Sequence, residues 1–176
     1  IICAKTLAAS QELFRLISER KIRKFYRLFV KGSVKKPSYI EGYLFKDRDN
    51  NKVRIVSDEE AKTMSLTQDE KASYIQTRYE PIKNIFDMTY LEVELLTGKT
   101  HQIRAHLASV GHPLLGDYKY GNKSFNDFYQ KKYRIKSQLL HAYRLEFPEN
   151  ELLFDGKGLC VTDKEPAIFH KLLQEG

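Results

Sequence analysis

The chain has 176 residues and 20.6 kDa, with 41% hydrophobic and 30% charged residues, a balance that fits one well-buried core and excludes a disordered or fibrous chain. Thirty Lys and Arg against 23 Asp and Glu leave a charge of +7 and a pI near 9.3. Such an excess favours a polyanionic partner, because basic side chains release counterions from phosphates, although charge kept for solubility is the plain alternative.

Ile1-Ile2-Cys3-Ala4 reads as the tail of an apolar strand with no cap before it. Residues are therefore expected upstream, and 1–176 is read as one domain that is incomplete at its N-terminus. Thr6 caps a predicted helix over 7–20, where Leu7, Leu13, Phe14 and Ile17 form a stripe. From Ile22 to Val30 the period falls to two, placing Ile22, Tyr26, Leu28 and Val30 on one strand face. Short strands follow over 38–47 and 52–56, joined by a polar turn. Residues 57–70 read as an exposed connection, and strands return over 71–79 and 89–96. Thr97-Gly98-Lys99 is a turn, Thr100 caps a helix over 101–110, and Gly111 stops it. Residues 122–137 read as an irregular basic, aromatic loop, followed by a strand over 139–147 and a closing helix near 166–174. The fold class expected is α+β. No stretch reaches the roughly 20 apolar residues of a membrane helix, and no signal-peptide pattern is visible. The expectation is a cytoplasmic protein without a membrane partner.

Chemistry concentrates in Leu95-Leu96-Thr97-Gly98-Lys99-Thr100-His101-Gln102-Ile103-Arg104. This is a strand, a tight turn and a helix start, where free amides and Lys99 favour an anion. His101 and Arg104, three apart, share a face directed at a cleft, while Ile103, Leu107 and Val110 take a buried one. A surface helix with a structural arginine is the bland alternative. His101, His106 and His112 do not align on one helical face, and no cysteine or carboxylate joins them, so no metal is expected. Cys3 and Cys160, without CxxC spacing, point to neither a disulfide framework nor zinc, and fit a reducing compartment. Tyr26 stands on its strand among Arg23, Lys24, Arg27 and Lys31, an arrangement that stacks bases in RNA binders. Taken by itself, its place beside Leu28 and Val30 favours a core tyrosine.

The run Leu96-Thr97-Gly98-Lys99-Thr100-His101-Gln102-Ile103-Arg104, with Gly111-His112-Pro113, Gly116-Asp117 and Tyr120-Gly121 after it, resembles the RluA-type RNA pseudouridine synthases. Lys24-Phe25-Tyr26, the stretch from Ala72 to Pro81, and Leu140-His141-Ala142 resemble further segments of that family in the same order. The resemblance implies a mixed, largely antiparallel central sheet flanked by helices, and conversion of uridine to pseudouridine without cofactor or metal. It gives Tyr26 the stacking of a flipped uracil and Arg104 the pairing of a catalytic aspartate. Leu96 would pack beneath the site, and Lys99, Thr100, His101 and Gln102 would shape a wall that binds the substrate. The family's HRLD-type aspartate motif does not occur in the 176 residues. The chain alone is accordingly expected to be inactive, and Asp117 is read as a turn residue rather than a nucleophile. The partner expected is RNA, with large-subunit ribosomal RNA favoured over transfer RNA, and the state expected is a monomer. The rival readings are a noncatalytic RNA-binding module of the same fold and a small-molecule enzyme.

Overall fold

The computed structural model describes residues 2–47, 51–67 and 72–175. Seven strands are found among them: β1 (Arg23–Lys31), β2 (Ser38–Asp47), β3 (Lys52–Val56), β4 (Ser73–Ile85), β5 (Met88–Leu95), β6 (Leu140–Phe147) and β7 (Leu159–Thr162). They form one sheet in the order β3-β2-β4-β5-β1-β6-β7. The expected α+β sheet is present, and each pairing described in it is antiparallel.

The continuous apolar run Leu28-Phe29-Val30 follows from burial on both faces of the central strands. The register sets Leu28 against Leu91 and Phe29 against Tyr90. On one face Leu28, Val30, Leu91 and Val93 pack under Ile103 and Leu107 of α3 (Gln102–Ser109). On the other, Phe29 and Tyr90 meet Phe125 and Tyr129 of α4 (Lys123–Tyr133) and Phe169 of α6 (Ala167–Leu173). Leu28, Leu91 and Leu107 are fully buried, each contributing about 1.5–3 kcal/mol. The six helices described also include α1 (Leu7–Ser18), α2 (Asp58–Thr67) and the single turn α5 (Glu151–Phe154). No helix among the described residues is long and apolar enough to cross a membrane.

Thr6 caps α1 as expected, its Oγ1 accepting from Ala9 N at 3.1 Å. Gly111 also follows the end of α3 with φ +85°. Three expectations are corrected. Much of the 57–70 connection is α2, because Ser57 Oγ accepts from Glu60 N and Asp58, Glu59 and Glu60 suit a helix start; residues 68–70 lie outside the described residues. The 122–137 loop is largely α4, capped by Asn122 and ended by left-handed Arg134, with Phe125 and Tyr129 one turn apart facing the core. The cap of α3 is His101 rather than Thr100, and its side chain makes no capping bond. Strand β4 also runs past Tyr79 to Ile85, shifting register between Pro81 and Lys83, where proline has no N–H to donate.

Candidate active site

The cleft lies where β1, the end of β5 and the start of α3 meet. It encloses about 340 Å³ and is lined by Tyr26, Leu95, Lys99, His101, Gln102, Ile103, Arg104, Gln138 and Leu140. Five expected residues, Tyr26, Lys99, His101, Gln102 and Arg104, are thus brought together. Leu96 and Thr100 are not in the lining. Leu95 is the last residue of β5, opposite Thr77, and packs with Tyr26 on the same core cluster; Leu96 lies just past the end of the strand.

Tyr26 is half-buried, and burial raises the pKa of its phenol. It divides the cleft from a second cavity of about 620 Å³ that Lys24 also lines. The expected basic flank is corrected here, because odd positions of β1 point to the opposite face. There Arg27 pairs with Glu92 at 2.6 Å, while Arg23 pairs with Glu94 and Glu146, both at 2.7 Å. Those pairs explain how Glu92 and Glu94 can sit buried in mid-strand. Only Lys24 of the group shares the cavity walls formed by Tyr26.

Gln102 is 1% exposed, and its amide is already engaged. Oε1 accepts from Thr97 Oγ1 at 2.9 Å and Lys99 N at 3.1 Å. Nε2 donates to Gln76 O at 3.0 Å and to Thr77 Oγ1 at 3.2 Å. All of its hydrogen-bonding capacity fastens the 97–100 turn to β4. These bonds hold the turn that carries Lys99 and His101.

Arg104 donates from Nε to Asp117 Oδ2 and from Nη2 to Asp117 Oδ1, both at 2.7 Å. Oδ1 also accepts from Lys119 N at 2.9 Å and Tyr120 N at 3.1 Å. Burial opposes ionisation of Asp117, but the Arg104 guanidinium and the two amides outweigh it and hold the carboxyl below its ordinary range. A carboxylate with no exposed side-chain surface and four donors has no free face for attack. Within this chain the guanidinium of Arg104 is thus paired with Asp117. Asn126 of α4 supports it from below, accepting from Gly116 N at 2.9 Å and donating to Asp117 O at 2.8 Å. Among the described residues Arg104 Nη1 makes no hydrogen bond, so one guanidinium edge remains for the cleft.

His101 occupies the left-handed region at φ 55°, and its Nδ1 lies 3.0 Å from the Tyr120 hydroxyl. The other two histidines diverge. His106 is buried with Nδ1 2.9 Å from Thr77 Oγ1, and His112 Nδ1 lies 3.2 Å from Lys31 O. Among the described residues no three His, Cys, Asp or Glu gather as metal ligands. Sequence reasoning missed Asp117 as an ion-pair partner, along with Tyr120, Asn126, Gln138 and Leu140. The Gly116-Asp117 and Tyr120-Gly121 turns were visible, but nothing in their spacing aimed them at α3.

Residues 1–109 match the family model described as RNA pseudouridylate synthase. An uncharacterized RNA pseudouridine synthase of Aquifex aeolicus is 39% identical over 70% of the chain and 36% of its own length. The ribosomal large subunit pseudouridine synthase D of Neisseria meningitidis serogroup B is 32% identical over 98% of the chain and 44% of its own. The chain spans less than half the length of these curated relatives. Among solved structures, human RNA pseudouridylate synthase domain containing 4 superposes with a TM-score of 0.69 at 19% identity, covering 97% of the chain and 68% of its own. At that identity the likeness concerns the fold.

Proposed function

Because the chain belongs to the RNA pseudouridylate synthase family, we propose that it forms one wall of a site converting uridine to pseudouridine in structured RNA. The observation that carries this reading is the single cleft uniting Tyr26, Lys99, His101 and Arg104. A uridine flipped from its stack lays its uracil on the Tyr26 ring. The N–C glycosidic bond breaks, the uracil turns, and its C5 bonds to the sugar carbon while the C5 proton leaves. Every atom but that exchanged proton is kept, so the isomerisation needs no co-reactant and no metal. Arg104, fixed by Asp117, offers its free guanidinium edge to orient a reacting carboxylate. That aspartate comes from outside the 176 residues, and the chain alone is inactive.

The name of the Neisseria relative supports large-subunit ribosomal RNA as the substrate, and the reading takes the enzyme to be monomeric and cytoplasmic. Loss of the C5 proton supplies the assay: tritium release from [5-³H]uridine-labelled ribosomal and transfer RNA, by the full gene product and by the 176-residue chain. Release by the full product from large-subunit RNA, and none by the chain, is expected. Binding without release by the full product would replace the enzyme with a noncatalytic RNA-binding module. Release from transfer RNA alone would move the substrate, and turnover by the chain would overturn the external aspartate. Arg104→Ala in the full product should abolish release while keeping most RNA affinity, and a near-normal rate would refute its role.

A further inference from the structure

The Tyr120 hydroxyl stands between two nitrogens. The backbone N–H of Val53 donates to it at 3.0 Å, and Nδ1 of His101 lies 3.0 Å away on its other side. A backbone amide can only donate, so towards Val53 the phenol oxygen is an acceptor. The phenol proton needs an acceptor of its own, and among the described residues Nδ1 of His101 is the one in reach. A bond donated into Nδ1 requires that nitrogen to be unprotonated, which leaves the single ring proton on Nε2. The imidazole lies along the wall of the cleft, and among the described residues Nε2 has no partner. We propose that Tyr120 locks His101 as the neutral Nε2–H tautomer, and that this N–H donates from the cleft wall to an oxygen of the bound RNA nucleotide. The first half rests on geometry alone; the second rests on the function proposed above.

Two further observations agree. His101 keeps a left-handed backbone despite its Cβ, which costs about 1–2 kcal/mol and persists only where the surroundings over-determine it. The Tyr120 ring supplies such surroundings, lying edge-on to the imidazole at 5.6 Å and under the Arg104 guanidinium at 5.1 Å. The charged groups facing His101 also disfavour an imidazolium. Burial comes first, then Arg104 of α3, Lys119 of the loop before α4 and Lys46 of β2, together holding its pKa below the ordinary value. Asp117 pulls the other way, but its carboxylate is committed to Arg104. A neutral donor would give a directional bond to a sugar hydroxyl, phosphate or base carbonyl without adding charge to a cleft that already holds Lys99 and Arg104.

Long-range ¹H–¹⁵N NMR of the histidine rings in the 176-residue chain reads the tautomer directly. At pH 8, well above the ordinary histidine value, Nε2 should carry the proton and Nδ1 should be bare, and Tyr120→Phe should let a proton appear on Nδ1. A proton on Nδ1 in the unsubstituted chain, or an unchanged tautomer in Tyr120→Phe, would overturn the lock. For the RNA contact, affinity for a large-subunit RNA fragment is compared in two substitutions. His101→Gln keeps a donor near the Nε2 position and should stay within about twofold. His101→Asn does not, and should weaken binding by about three- to tenfold. Equal affinities would reduce the pair to a structural one and overturn the contact. An unsubstituted chain that binds no RNA, while showing the expected NMR signature, would defeat the contact together with the proposed function and leave the lock standing.

Discussion

Arg104 and Asp117 allow the site's architecture to be tested as an energy. The side chains are 13% and 0% exposed and share two bonds of 2.7 Å. Removing one partner of such a pair strands the other charge away from water, at about 3–5 kcal/mol. Asp117→Asn keeps the shape but presents one N–H₂ face to a guanidinium that can only donate. Arg104→Met keeps the aliphatic stem but leaves a carboxylate with no exposed surface supported by two amides. In the double substitution neither charge is stranded, and the Asn oxygen can still accept from Lys119 N and Tyr120 N. Each single change should cost about 3 kcal/mol and the double about the same, a coupling of about 2–3 kcal/mol. Chemical denaturation gives the four free energies; with no tryptophan in the chain, circular dichroism is the natural probe. Additivity within about 0.5 kcal/mol would show that the pair is not a unit and refute the argument. Acid supplies a companion test. Asp117 has a folded pKa below its unfolded value near 3.9, so its contribution is complete above that value and is lost as pH falls through the folded one. Below about pH 4 the unsubstituted chain should therefore lose stability more steeply than Asp117→Asn.

Substitutions at three positions probe other parts of the chain. A Cβ on Gly121 would fall 1.9 Å from Asp117 O and 2.9 Å from Asn126 Nδ2, so Gly121→Ala should cost at least about 2 kcal/mol and lower Tm by several degrees; an unchanged Tm would mean the turn is looser than described. Phe86 sits at φ 49° and is 78% exposed in the β4–β5 hairpin, where Asn is better tolerated, so Phe86→Asn should gain about 0.5–1 kcal/mol, and a loss would show that the ring packs on something. Tyr26→Phe should keep RNA affinity and Tyr26→Ala should reduce it by the about 1–3 kcal/mol of a base stack; equal affinities would return Tyr26 to the core.

The α+β class and most of the strands were legible because period-two patterns such as Leu91, Val93 and Leu95 leave little choice of face. Helices α2 and α4 were not, since charge runs and scattered aromatics hide a weak stripe, and their caps, Ser57 and Asn122, register only once a helix is suspected. Lys99, His101 and Arg104 could be grouped from spacing, and Tyr26 joined them through the family resemblance. What each bonds to could not: Arg104 reaches Asp117 across a turn, and Tyr120 meets both His101 and the Val53 amide. Such contacts are settled by how the loop after α3 folds back over it, which no local pattern encodes. Gln102 is a further case, because its four bonds to the 97–100 turn and to β4 follow no local pattern.

Charge is where reading along the chain and reading through space diverge most. The excess of +7 and the basic run near Tyr26 point to dense phosphate binding at the cleft. Alternation divides that run by face: Arg23 and Arg27 are spent on Glu94, Glu146 and Glu92, while Lys24 stays on the side of Tyr26. Arg104 is likewise tied to Asp117. Lys24 and Lys99 are then the lysines that line the two cavities beside Tyr26. Each phosphate neutralised contributes about 0.7–0.9 to the slope of log affinity against log salt, so Lys24→Ala should lower the slope by somewhat less than one unit. Arg27→Ala should leave the slope unchanged and cost stability instead, because it removes one of the guanidinium partners of Glu92. A slope that responded to Arg27 and not to Lys24 would place the RNA on the opposite face of the sheet, and with it the assignment of the cleft would fall.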